Sequence, residues 1–122
     1  MAKPLTGTLV LSLDQAVAAP MTSRRLADAG ARVIKLERPE GDFARHYYSL
    51  VHGQCTHFAW LNRGKESVVV DLANPDDKRL FEAILAKADV LVQNLKPGAL
   101  AKLGYPMEAL RKRHPRLICC SI

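Results

Sequence analysis

The 122-residue sequence predicts an α/β fold: a Rossmann-like parallel sheet with flanking helices, laid out as one domain over residues 1–122. Three observations lead there. Short runs rich in Val, Ile and Leu alternate with helical segments along the chain. Pro tends to open the helical segments and Gly to close them. The first strand, helix and second strand follow one another within about thirty residues, the length of a right-handed βαβ unit.

Thr8–Leu13 is the first strand, ending at Asp14-Gln15. Pro20 suits the first turn of a helix that runs to Ala29, with Gly30 at its C′ position. The next strand starts at Ala31, and Val33, Ile34 and Leu36 give it a buried character. Pro39 cannot donate to a sheet ladder, so this strand ends at Glu37 or Arg38. Arg38 therefore stands at the carboxyl end of a parallel strand, where open α/β sheets bind ligands. Residues 41–63 read as an irregular, aromatic-rich loop with room for a short helix, and loops this long in compact domains are usually functional. Asn62-Arg63-Gly64-Lys65 closes it as a turn, and Ser67–Leu72 is the third strand. Asn74-Pro75-Asp76-Asp77 combines a cap, an N1 proline and first-turn acids. The helix it opens carries Leu80, Phe81, Ile84 and Leu85 on one face and ends near Ala88. Val90–Leu95 is a strand, Ala99–Leu103 a short helix, Pro106 to His114 another, and Leu117–Ile122 a last strand. The βα alternation breaks off there without a cap or tail, the pattern expected of a domain truncated at its C-terminus.

A hydrophobic fraction of 48% and a charged fraction of 25% are those of a soluble globular protein, and no run of 18 apolar residues offers a membrane span. The net charge of +6 is spread over the chain and no nucleic-acid motif accompanies it, so a nucleic-acid partner is not expected. Three cysteines, two of them adjacent, make a poor disulfide framework, and Met1-Ala2-Lys3-Pro4 opens no apolar leader; the expected setting is the cytoplasm. The turn Asp14–Pro20 contains no glycine, which sets aside dinucleotide binding of the G-x-G-x-x-G kind despite Glu37 at a strand end. His52, Cys55 and His57 lack a second half-site with zinc spacing, so no metal is expected. Cys119 and Cys120 point to opposite faces of a strand as small core residues, and Arg111, Lys112, Arg113 and Arg116 form a solvated basic run.

The informative set is positional. Arg38, Lys96 and either Lys65 or Lys102 can meet at the strand-end edge, where Arg offers a bidentate fork and Lys a point charge to a phosphorylated ligand. The residues alone equally allow each to be a solvated surface cation.

The order Leu13–Pro20, then Leu26–Pro39, resembles the start of a family III CoA-transferase, the group of formyl-CoA:oxalate and carnitine CoA-transferases and α-methylacyl-CoA racemase. Leu61–Ser67 before Val70-Asp71-Leu72, Ala88–Gly98, and His114–Ile122 resemble the family in the same order and spacing. The resemblance implies the fold above as the N-terminal part of the family's large domain. It implies transfer of CoA between acyl groups through an aspartyl intermediate, with the CoA thioester as substrate and no permanently bound cofactor. Arg38, Ala16, Val17, Leu61, Lys65, Asn94 and Leu95 match CoA-contacting positions. Lys102 stands where relatives have a nucleotide-binding arginine, and Leu95 replaces a common phenylalanine. The catalytic aspartate and the glycine-rich loop of the family lie beyond Ile122, so no catalytic residue is assigned and the 122-residue chain is expected to be inactive alone. Residues 15–20, 41–45 and 60–67 look most like transferases for small dicarboxylates, with Arg45 or His46 available to a distal carboxylate. A racemase, and a nucleotide-binding module without chemistry, are the alternatives. Full-length relatives form interlocked homodimers, and no membrane partner is implied.

Overall fold

The structure, a computed structural model, describes residues 1–48 and 51–122. Ser49 and Leu50, within the expected 41–63 loop, lie outside them. Among the described residues one five-stranded sheet has the order β3-β2-β1-β4-β5, every neighbouring pair parallel. The strands are β1 Leu9–Leu13, β2 Arg32–Glu37, β3 Lys65–Val69, β4 Val90–Gln93 and β5 Ile118–Ser121. The helices are α1 Ala18–Asp28, α2 Thr56–Asn62, α3 Pro75–Leu85, α4 Ala99–Lys102 and α5 Met107–Arg113, with a 3-10 turn at Phe43–His46. No helix among the described residues is long and apolar enough to cross a membrane.

The expected elements are all present, with three adjustments. The third strand starts at Lys65, not Ser67, so Lys65 is its first residue and no part of the preceding turn. The aromatic loop holds both the 3-10 turn and α2, because Asp42 caps the former by accepting from the Ala44 amide. On α3, Phe81 and Leu85 are buried but Leu80 is exposed, so the apolar face is narrower than its spacing predicts.

Alternation along the strands divides the core in two. Leu11, Leu13, Leu36 and Leu91 point to one face and pack with Phe81 and Leu85 of α3, Leu100 of α4, Leu110 of α5, and Tyr105. Tyr105 meets Phe81 edge-on, ring centroids 4.7 Å apart. The other face begins with Val10, Val33 and Val92 against Ala19 and Ala31. It then turns polar toward the carboxyl ends of the strands, where Ser12, Lys35 and Glu37 are also buried. The strand order reverses between β2-β1 and β4, which puts a topological switch point at the carboxyl ends of β1 and β4.

Candidate functional site

The residues that follow β1, β2, β3 and β4 line a cleft of about 320 Å³, within the size range of small-molecule sites. Its floor is apolar: Leu13, Leu36, Val70, Leu72 and Leu95, with Ala99 of α4 and Leu103 at its C-cap. Arg38 lies on its rim and is the one cation among the described residues that line it. Its side chain is 53% exposed, with Glu40 at 3.7 Å and the Gly41 carbonyl at 3.3 Å as weak partners.

Behind the cleft, on the α1–α2 face, lies a buried ionic cluster. The Lys35 ammonium donates to the Asp14 carbonyl at 2.8 Å, to Asp14 Oδ1 at 2.5 Å and to Asp42 Oδ2 at 2.9 Å, using all three of its protons. Asp14 Oδ2 accepts from Ser12 at 2.6 Å, from Ser23, and from Lys65 at 3.2 Å. Lys65 also donates to Asn62 Oδ1 at 2.8 Å and to the Pro20 carbonyl at 3.0 Å. Glu37 is held by the Arg45 fork at 2.8 and 2.6 Å, by Ser67 at 2.5 Å and by the Asp42 amide at 2.9 Å. Three carboxylates thus face three cations, and the cluster is compensated, as buried charges require.

Burial works to raise the Asp14 carboxyl, but Lys35 and Lys65 beside it hold it at about 2. Burial likewise opposes ionisation of Glu37, and Arg45 and Ser67 bring it to about 2. Burial pushes the Lys65 ammonium down to about 8 against the pull of Asp14.

Two side chains fasten the turn between β1 and α1. Asn94 accepts from the Gln15 amide and donates to the Gln15 carbonyl, each at 2.9 Å, so its side-chain amide continues the ladder across the switch point. Asp42 Oδ1 accepts from the Ala16 amide at 3.1 Å. Ala16 has φ of 64°, a left-handed conformation that costs a residue with a Cβ about 1–2 kcal/mol. Val17 follows at the N-cap of α1 and supplies no side-chain cap.

The model of the family described as "CoA-transferase family III" matches residues 5–122. The chain belongs to CoA-transferase family III. Acetyl-CoA:oxalate CoA-transferase from Acetobacter aceti is 42% identical over 119 residues, which are 97% of this chain and 31% of that protein. Succinyl-CoA:glutarate CoA-transferase from Mus musculus is 38% identical over 122 residues, 98% of this chain and 28% of that one. The crystal structure of a CAIB/BAIF family protein from Brucella suis superposes with a TM-score of 0.92 at 37% identity, covering 99% of this chain and 33% of that one. The family III chain therefore spans about a third of the length of these relatives.

Of the positions singled out in this family III sequence, Arg38 and Leu95 line the cleft, and Asn94 and Ala16 shape the turn beside it. Val17 is exposed at the start of α1. Lys102 is exposed on α4, one residue before the lining Leu103, and Lys96 is exposed just after the lining Leu95. Leu61 is fully buried on α2, and the Lys65 side chain is 2% exposed with its protons given to protein acceptors. Lys65 therefore joins the ionic cluster on the opposite face instead of converging with Arg38. Arg45 is committed to Glu37, with its guanidinium 3.9 Å over the Phe58 ring, which corrects the expectation that it waits for a distal carboxylate. His46 is exposed on the 3-10 turn. Cys55 is buried at the start of α2, while His57 stacks between Tyr47 and Trp60. Lys35, Asp14 and Asp42 were missed as a group. The available signal was a lysine and a glutamate alternating with apolar residues in a strand that parallel pairing covers on both faces.

Proposed function

We propose that the cleft holds the nucleotide end of coenzyme A, and that the protein is a transferase moving CoA from an acyl-CoA donor to a small carboxylic acid, by preference a dicarboxylate. The observation that carries this reading is Arg38 on the rim of an apolar cleft at the strand-end edge, in a chain that belongs to CoA-transferase family III. A flat purine suits the leucine-lined floor, and a phosphate suits the free guanidinium fork. Leu95 supplies part of the wall, Ala16, Val17 and Asn94 belong to the turn beside it and its tether, Leu61 and Lys65 are buried on the α2 side, and Lys102 adds a point charge from α4. Relatives named for oxalate and glutarate support a dicarboxylate as acceptor.

In this reading a carboxylate nucleophile, an aspartate outside these residues, attacks the thioester carbonyl and releases the CoA thiolate. The thiolate then attacks the aspartyl carbonyl of the resulting mixed anhydride and expels the donor carboxylate, leaving aspartyl-CoA, from which the acceptor carboxylate takes CoA by the same two steps reversed. The CoA thioester is a substrate and no resident cofactor is invoked. The working form is an interlocked homodimer in the cytoplasm.

Isothermal titration of free CoA into the 122-residue chain and its Arg38→Ala variant tests the site. Loss of the guanidinium is expected to weaken binding at least about tenfold. Equal affinity in the two proteins refutes the assignment of Arg38.

A further inference from the structure

One carboxylate of the ionic cluster reaches both walls of the cleft. Asp42 is 2% exposed. Its Oδ1 accepts from the Ala16 amide at 3.1 Å and from the Ala44 amide at 2.9 Å, while its Oδ2 accepts from Lys35 at 2.9 Å. Its own amide donates to Glu37 Oε1 at 2.9 Å. Asp42 thereby ties the loop after β2 to the turn after β1.

That turn needs holding. Ala16 sits at φ of 64° although it is not glycine, and Val17 offers no side-chain cap. Asn94 grips the backbone of Gln15, and the Ala16 amide is left to Asp42. A charged acceptor binds an amide more strongly than a neutral one, and Lys35 fixes that acceptor from behind with a proton on its second oxygen. Asp42 and Gln15 both line the cleft, so a shift in one is transmitted to the wall formed by the other.

We propose that Asp42 is a positioning residue: its carboxylate, steadied by Lys35, holds the Gln15–Val17 turn in the left-handed form that presents its backbone to the CoA nucleotide. The proposal rests on the CoA reading above. Asp42→Asn tests it sharply, because its single oxygen cannot serve both sides: the amide NH2 faces either the Lys35 ammonium or the Ala16 and Ala44 amides, and the charge that held them is gone. CoA affinity is expected to fall about tenfold, with a lower Tm. Glycine adopts positive φ without strain, so Ala16→Gly on the Asp42→Asn background is expected to recover most of the affinity and leave the Tm deficit in place. A purely structural role predicts the opposite: affinity returns only if Tm does, and that result overturns the proposal.

Asp42→Glu covers the case in which the asparagine variant does not fold. It keeps the charge for Lys35 but moves the acceptor off Ala16 by one methylene, so affinity is expected to drop while the fold persists. Wild-type affinity in Asp42→Glu overturns the proposal, as does wild-type affinity in Asp42→Asn. The CoA reading fails separately, through wild-type protein that binds no CoA in the same titration.

Discussion

On the face covered by α3, α4 and α5, Leu11, Leu13, Leu36 and Leu91 meet Phe81, Leu85, Leu100 and Leu110. One residue away along the same strands, Ser12, Lys35 and Glu37 meet Asp14, Asp42, Lys65 and Arg45. Both faces are dry, yet they are held by different physics. Apolar contact is non-directional and tolerates exchange of one hydrocarbon for another of similar volume. A buried charge depends on particular partners at particular distances, and removal of one leaves the others unpaired. The apolar face is therefore a foundation that can be repacked, and the ionic face is a fixture that cannot. The cleft sits where the two meet at the strand ends, taking its floor from the first and the posture of its rim from the second.

The same incoming side chain on both faces gives the hardest test of this contrast. Leu91 is 0% and Lys35 1% exposed, so methionine fits the volume at each. Lys35→Met leaves Asp42 without a cation and Asp14 with Lys65 alone, and is expected to cost about 3–5 kcal/mol in urea unfolding, enough to unfold a marginal domain. Leu91→Met is expected to cost less than about 1.5 kcal/mol. Similar losses for the two would erase the distinction between the faces.

An acid titration sharpens it next. The folded Asp14 and Glu37 pKa values, about 2, lie below the ordinary values of 3.8 and 4.5. Their contribution is then fully present above pH 5 and is lost as pH falls toward 2. For buried Asp14 it amounts to about 2 kcal/mol. Lys65 gives a slope of the same sign in a higher window: its folded value, about 8, lies below that of the unfolded chain, which therefore binds more protons, so stability rises between pH 8 and 10.5. Circular dichroism against denaturant at a series of pH values reads both limbs, and a flat acid limb contradicts the compensated cluster.

The smallest effect is expected outside the cluster. Arg32 and Glu66 form a two-point pair at 2.7 and 2.9 Å across β2 and β3, but both side chains are more than half exposed. Glu66→Gln is expected to change stability by less than about 0.5 kcal/mol. A loss comparable to that of Lys35→Met would show that burial is not what separates the two kinds of ion pair.

Particular residues show how far the sequence could be read. A parallel sheet with flanking helices follows from the βα alternation, and Arg38 at a strand end follows from Pro39, so fold class and rim are legible, while the strand order is not. The Asn94 amide was legible as a strand-end residue but not as a bridge to Gln15, because the two lie 79 positions apart. Lys35 is not legible as a buried charge, since local pattern cannot say that α1 and the aromatic loop close over that face. The start of the third strand at Lys65 is not legible either, because it is set by pairing with β2 and not by local propensity. The left-handed Ala16 left no mark, because its conformation is imposed by Asp42 and Asn94 from outside the turn.

The balance of the ionic cluster reaches beyond the fold. Asp14, Glu37 and Asp42 all line the cleft, and a polyanion would be repelled by three bare carboxylates. With three cations locked against them, the cluster has no monopole, and the field it throws into solvent dies away within a few ångströms. Screening at physiological salt, about 8 Å, removes what remains. Asp14, Glu37 and Asp42 are therefore electrically silent, and the charges an approaching phosphate meets at the cleft are the guanidinium of Arg38 and the exposed carboxylate of Asp71.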